Sequence, residues 1–136
     1  MTKQTEAFRE LLALMELERI EDNLFRGVSR DIGTQHVFGG QVLAQAVLAA
    51  SRTVKDRTIH SLHAYFLHAG DPDARIVYDV DHSRDGRSFS SRRVVAIQQG
   101  RPIFTLAASF QLYEEGLENE FEMPDVPPPE ESSPIQ

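Results

Sequence analysis

Residues 36–50 read HVFGGQVLAQAVLAA and place two glycines at the start of a helix that is apolar on almost every side. A helix without a polar face is not suited to water, so the rest of the chain is expected to wrap around it. The N–H groups of a first helical turn lack partners within the helix, and Gly39 and Gly40 leave them open to a ligand. No Asp or Glu occurs between Asp31 and Asp56. This helix start is therefore predicted to cradle a polar ligand group without supplying a carboxylate base.

Size and composition favour one modest domain. The 136 residues are enough to bury a core, and the absence of cysteine excludes disulfides, thiolate catalysis and cysteine metal sites. No segment reaches the roughly 18 apolar residues that a membrane span needs, and the start of the chain lacks the pattern of a secretion signal. We expect a cytoplasmic protein that does not insert into membranes.

The net charge of −7 is unevenly distributed along the chain. Eight acidic residues and no Lys or Arg follow Tyr113, so residues 1–113 are nearly neutral. We expect residues 1–113 to form the domain and residues 114–136, which are acidic and rich in proline, to form an extended linker or a disordered tail. Nucleic-acid binding is disfavoured, because no basic stripe with interleaved aromatic residues is present.

The periodicity of apolar residues predicts both helices and strands. Residues Phe8, Leu11, Leu12 and Met15 recur with helical spacing and predict a short amphipathic helix, and the apolar helix follows from about Gly39 to Thr53. Asp85-Gly86 and Gln99-Gly100 stand at hairpin positions, so the last three strands should form an antiparallel meander. The predicted strands are Leu17 to Val28, Thr58 to His68, Arg75 to Ser83, Ser88 to Gln98 and Ile103 to Leu112.

Alternation along the last strand predicts which side chains enter the core. Its apolar side consists of Phe104, Leu106, Ala108, Phe110 and Leu112. The opposite side is neither charged nor fully apolar, and such a face is often covered by a partner or a ligand. The α+β architecture that uses every element is one helix inside a curved antiparallel sheet.

Several motifs together resemble the amino-terminal half of the acyl-CoA thioesterase II family. The resemblance spans roughly Leu11 to Pro129, with the motifs in order and at compatible spacing. The motifs read VFGGQV at 37–42, HSLHAYFL at 60–67, GDP at 70–72, DGRSFSSRRV at 85–94, PIF at 102–104 and ASFQ at 108–111.

The resemblance implies a hotdog fold and the hydrolysis of fatty acyl-CoA to free acid and CoA, without a cofactor. Members of the family carry two hotdog domains, and their Asp, Ser or Thr and Gln that activate water belong to the second one. This chain would then be a first domain that binds acyl-CoA and pairs with a second hotdog domain or with another copy. Substrate-binding residues implied here are Gly39, Gly40, Gln41 and Gln111, the last as counterpart of the catalytic Gln of the second half.

His60 is the candidate catalytic residue within this chain. It matches a histidine of the family's first half, and imidazole transfers protons near neutral pH. A hydrogen-bonded structural histidine is the alternative, because the base of the family is a carboxylate in the second half. Alternation places His60 on one face with Leu62 and Ala64, and His63 on the other face, so a shared metal is not expected.

The other candidate residues also have structural alternatives. The structural alternative for Gly39 and Gly40 is that glycine lets the helix pass close to a strand. Five arginines are candidates for the phosphates of CoA, which the guanidinium fork suits, although strand arginines are more often solvated: Arg84, Arg87, Arg92, Arg93 and Arg101. The alternative to a thioesterase half is a non-catalytic hotdog module that binds acyl groups or serves assembly.

Overall fold

A six-stranded sheet carries the fold in the computed structural model, which describes residues 3–30 and 33–133. Neighbouring strands are antiparallel and lie in the order β1-β2-β4-β5-β6-β3. The elements are α1 (Lys3–Leu14), β1 (Glu18–Glu21), β2 (Leu24–Gly27), α2 (Gly39–Ser51), β3 (Thr58–Phe66), β4 (Ile76–Asp85), β5 (Phe89–Gln98), β6 (Arg101–Gln111) and a 3₁₀ turn at Pro129–Glu131.

Helix α2 packs against one face of this sheet and forms the core with it. Val42, Ala46 and Ala49 of α2 are buried, and the sheet contributes the large buried side chains Phe25, Tyr78, Phe104 and Phe110. Small alanines on the helix let it lie close to these aromatic rings. The predicted α+β arrangement of one apolar helix on an antiparallel sheet is confirmed.

The last three strands form the predicted meander. Strands β5 and β6 are joined by Gln99 and Gly100, whose φ angles are 50° and 75°. Positive φ at both central residues is the signature of the tight hairpin turn that matches strand twist. The turn between β4 and β5 is closed by Gly86 N–H, which donates to Phe89 O at 2.8 Å.

The predicted inner face of β6 is confirmed over four of its five residues. Phe104, Leu106, Ala108 and Phe110 are buried, whereas Leu112 lies beyond the end of β6 and is half-buried.

The single strand predicted from Leu17 to Val28 is wrong, because two short strands occupy this stretch. β1 and β2 form a hairpin, and Asp22 and Asn23 make the turn between them. Asp and Asn favour turns because their side chains hydrogen-bond to nearby backbone, a signal that the prediction of a single strand does not use.

Helix α1 forms as predicted, but its apolar stripe is not covered by the sheet. Phe8, Leu11 and Leu12 are 59%, 51% and 51% exposed. The carbonyl of Leu14, at its end, accepts a hydrogen bond of 2.7 Å from Gln45 of α2. Helix α1 is therefore attached beside the start of α2 with its stripe half exposed.

Residues beyond β6 make no strand or α-helix within the described range. All side chains from Tyr113 to Ser133 are exposed, including those of Leu117 and Phe121. None of the described helices has the length and apolar character needed to cross a membrane.

Candidate functional site

The start of α2 lies between two cavities. Gly39 lines the first, of about 370 Å³, together with Phe66, His68 and Gly70. Gly40 and Gln41 line the second, of about 530 Å³, which α1 closes on its other side. Both volumes lie in the range of pockets that bind small molecules, about 300–1,000 Å³. The two glycines singled out in the sequence therefore border different cavities.

Each glycine of the pair lies under an aromatic ring. A Cβ on Gly39 would stand 2.9 Å from Cε1 of Phe66, and a Cβ on Gly40 would stand 2.5 Å from Cε1 of Phe38. Phe66 and Phe38 are 59% and 62% exposed, but the ring of Phe66 also packs edge-on against buried Phe104, with ring centroids 5.1 Å apart. The contact with Phe104 limits the movement of the Phe66 ring, so close packing explains Gly39 better than Gly40. The ring over Gly40 has room to move, so packing explains Gly40 less well.

Gln41 is held by the backbone of the segment that follows β2. Its Nε2 donates to Val28 O at 3.3 Å, and its Oε1 accepts from the N–H of Arg30 at 3.4 Å. The residue is buried. The side chain therefore fixes this segment to the start of α2, while part of Gln41 still borders the second cavity.

Gln45 is a polar core residue that sequence reasoning missed. It is fully buried, its Nε2 donates to Leu14 O and Val28 O, and its Oε1 accepts from Tyr78 Oη at 2.7 Å. Burial raises the pKa of Tyr78. A glutamine in an otherwise apolar helix is the signal that marks such a site, because a buried amide needs partners.

His60 and Gln111 lie together, but far from the start of α2. Gln111 pairs with Thr58 of β3 and Phe89 of β5 at the end of β6, whereas Phe104, beside the helix start, is at the other end. Seven residues of extended strand separate these ends, which corresponds to about 23 Å. The structure therefore does not bring His60 and Gln111 to the glycine pair.

The predicted face of His60 is wrong because a β-bulge interrupts the pairing of β3 between Ile59 and Ser61. The bulge adds one residue, so alternation counted through it reverses. His60 Nε2 lies 2.8 Å from Oγ of Ser109, on the face opposite to the buried Phe110, and its ring meets Phe89 edge-on. Leu62 pairs with Ala108 on the inner face.

One of the five arginines is buried and hydrogen-bonded within the protein. Arg92 is 3% exposed, and its guanidinium donates to Thr53 Oγ1, Thr53 O and Asp85 Oδ1. Hydrogen bonds from Ser90 and Arg92 lower the pKa of Asp85. Arg92 thus joins the end of α2 to the β4–β5 hairpin and is not free to hold a phosphate.

Of the remaining four, Arg101 is the one that approaches the first cavity. Its Nη2 lies 3.0 Å from Nε2 of His68, which lines that cavity. Arg84, Arg87 and Arg93 are exposed on or beside the β4–β5 hairpin. Within the described residues, neither cavity at the start of α2 is lined by an Asp or a Glu.

The comparisons with known proteins agree on one family. The model of the acyl-CoA thioesterase N-terminal domain matches residues 28–111. Acyl-CoA thioesterase 2 of Haemophilus influenzae is 47% identical over 128 residues, which are 93% of this chain and 45% of that protein. Human acyl-coenzyme A thioesterase 8 is 45% identical over 120 residues, or 87% of this chain and 38% of that protein.

Solved structures give the same result. The TesB protein of Mycobacterium avium subspecies paratuberculosis has a TM-score of 0.81 and 38% identity, over 90% of this chain and 49% of that one. The acyl-CoA thioesterase II TesB2 of Mycobacterium marinum has a TM-score of 0.77 and 40% identity, over 88% and 45%. A hotdog-fold protein of Alicyclobacillus acidocaldarius, 24% identical, superposes with a TM-score of 0.73. The predicted hotdog fold is thus confirmed, and the chain spans less than half the length of these two thioesterase structures and the two relatives above.

Proposed function

The chain belongs to the family of acyl-CoA thioesterase N-terminal domains, and from this premise we propose that it is the substrate-binding first half of an enzyme that hydrolyses fatty acyl-CoA to fatty acid and CoA. The proposed domain comprises residues 1–113, and residues 114–136 form the proposed linker. Support for this boundary is that β6 ends at Gln111 and that every side chain from Tyr113 to Ser133 is exposed.

The observation that carries the proposal is the start of α2, where two cavities meet a helix end without a carboxylate. A helix N-terminus suits the carbonyl oxygen of a thioester, because its free N–H groups stabilise developing negative charge. Hydrolysis also needs a base to activate water, and neither cavity is lined by one within the described residues. We therefore place the base, and the catalytic Asp, Ser or Thr and Gln, in a second hotdog domain.

Strand β3 is the proposed contact with that second domain or with another copy of the chain. It lies at the edge of the sheet, and its apolar side chains Leu62, Tyr65 and Phe66 are 43%, 63% and 59% exposed. An exposed edge strand with apolar side chains favours pairing with another strand. We also propose the cytoplasm as the location, from composition alone; fractionation of the native cells would test it.

A chimera tests the function directly. In the Haemophilus thioesterase, the matching 128 residues are replaced by this chain, and release of CoA is followed with a thiol reagent, which this cysteine-free chain does not consume. We expect the chimera to hydrolyse acyl-CoA and the isolated chain to bind it with little turnover. Fast hydrolysis by the isolated chain would place the base within it, and a folded but inactive chimera would contradict the proposal.

The alternative is a hotdog module that binds acyl groups or serves assembly without catalysis. The carboxylate-free start of α2 favours it as far as this chain alone is concerned. In the same chimera, binding of acyl-CoA without turnover, in a folded protein with an intact second domain, would support this alternative.

A further inference from the structure

The cavity between α1 and the start of α2 is lined mostly by apolar residues. On the α1 side these are Leu11, Leu12 and Met15, and on the α2 side Phe38, Gly40 and Ala44. We call this cavity the α1–α2 groove. Leu12 and Phe38 are 51% and 62% exposed, so apolar surface faces an open space of about 530 Å³. Covering such surface is favourable, because it removes apolar area from water.

The polar groups at the edge of the groove already have partners. Arg30 forms an ion pair with Glu10. The Gln41 amide is bonded to the backbone at Val28 and Arg30. An alkyl chain would contact the apolar walls and leave both of these polar contacts in place. The chemistry of the groove therefore selects an apolar occupant.

The position of the groove favours the acyl chain of the substrate over other apolar ligands. Gly40 is part of the groove wall and also of the first turn of α2, so an acyl group whose carbonyl binds the helix N–H groups can extend its alkyl chain past Gly40 into the groove. The other cavity, at Gly39, lies on the far side of this turn and borders His68, which Arg101 contacts. The two cavities thus offer an apolar and a more polar side for the two parts of a thioester.

We infer that the α1–α2 groove binds the alkyl chain of the substrate, and that Leu12 and Ala44 set the chain length that it accepts. This inference rests on the proposed function, because an acyl chain is brought to the groove only if the thioester of the substrate binds at the start of α2. The exposed ring of Phe38 lies over Gly40 at the entrance of the groove.

Thioether analogues test the inference without hydrolysis. Affinities of the chain are measured by calorimetry for free CoA, S-butyl-CoA, S-octyl-CoA and S-dodecyl-CoA. Each methylene in the groove should raise affinity about fourfold. Leu12→Trp and Ala44→Leu, which fill the groove, should weaken S-dodecyl-CoA binding about tenfold and change S-butyl-CoA binding less than about twofold. Leu117→Trp, in the exposed tail, is the matched control and should change neither.

The outcomes separate the inference from the proposed function. Binding that strengthens with chain length but is unchanged in both folded groove variants overturns the inference and leaves the function in place. No binding of any analogue, including free CoA, contradicts the function as well. A changed oligomeric state in the groove variants, with normal length dependence, would show that a protein surface occupies the groove and would also overturn the inference. Thermal unfolding verifies folding, and Leu12 is half exposed, so Leu12→Trp should fold even where Ala44→Leu does not.

Discussion

The Nε2 of His60 and the Oγ of Ser109 lie 2.8 Å apart on the sheet face opposite to α2. The pair stands near Gln111 and Phe89, at the other end of β6 from the glycines that begin α2. Two neighbouring strands are thereby joined at the β-bulge. Such a bond stabilises the edge strand β3 and is the kind of contact that the structural alternative for His60 requires; we propose this role for His60.

We therefore expect His60→Ala, made in an enzyme with both domains, to lower the free energy of unfolding by about 1 kcal/mol. The value of kcat/KM should stay within about twofold if the bond to Ser109 is the whole role of His60. His63→Ala, also in β3 and also beside an aromatic ring, is the matched control. A large loss of kcat with unchanged thermal stability would instead assign His60 to catalysis.

The buried Tyr78, which donates to Gln45, predicts that the protein loses stability at alkaline pH. Burial raises the pKa of Tyr78 above its ordinary value of 10.0, so the folded protein keeps the phenol neutral where the unfolded chain ionises. The contribution is present below about pH 10 and is lost as the pH rises further, by about 1.4 kcal/mol per pH unit. Urea unfolding from about pH 8 to about pH 11 measures this slope.

Tyr78→Phe should remove that part of the slope. At neutral pH it should also cost about 1–3 kcal/mol, since the buried Oε1 of Gln45 loses the hydroxyl that donates to it. Tyr113→Phe, in the exposed tail, should alter neither quantity. An unchanged alkaline slope in Tyr78→Phe would show that other groups cause it.

The contacts of Arg92 predict that stability requires a guanidinium, with its several N–H donors, at this position near the end of α2. Arg92→Lys should cost about 1–3 kcal/mol, because one ammonium cannot donate to both Thr53 and Asp85 in the same geometry. Arg93→Lys, on the exposed side of the same strand, is the matched control and should be neutral. Equal stability of the two variants would contradict the role of Arg92.

The same contact makes a prediction for acid. Hydrogen bonds from Ser90 and Arg92 lower the pKa of Asp85 below its ordinary value of 3.8. Their stabilisation is present above that value and is lost as the pH falls through the lowered pKa. Ser90→Ala should therefore reduce the loss of stability below about pH 4, as measured by urea unfolding. If the loss is unchanged in this variant, carboxylates other than Asp85 cause it.

Periodicity predicted the parts of the fold in which one face is buried throughout. It located α2 and the inner face of β6, because in both cases burial alone decides which residues are apolar. It failed at the bulge near His60, since an inserted residue is invisible to a count by twos. The roles of Gln45 and Arg92 depend on partners more than 30 residues away, which no local pattern contains.

For the site, the sequence identified the start of α2 but not its surroundings. The glycine pair and the missing carboxylate are local features and could be read directly. That Gly39 and Gly40 border separate cavities follows from where α1, Phe66 and His68 lie in the fold. Likewise, His60 and Gln111 matched the family pattern, yet the strand length places them far from the glycines.

Edge strand β3 predicts self-association of the isolated chain. We expect a homodimer in sedimentation experiments, because pairing would cover Leu62 and Phe66 and satisfy the free strand edge. Tyr65→Lys should weaken the dimer by placing like charges near a symmetric contact, whereas Tyr113→Lys in the tail should not. A strict monomer at high concentration would contradict the expectation.

Gly40→Ala separates ligand access from packing at the start of α2. Alanine favours a helix by up to about 1 kcal/mol over glycine, and the exposed Phe38 ring above Gly40 can move away from the new methyl group. We expect unchanged or slightly higher thermal stability in the two-domain enzyme, together with weaker substrate binding or slower turnover. Gly39→Ala should instead destabilise the fold by about 1–3 kcal/mol, because the new methyl group would push the Phe66 ring out of its contact with Phe104. A destabilised Gly40→Ala with unchanged kinetics would make Gly40 a packing residue only.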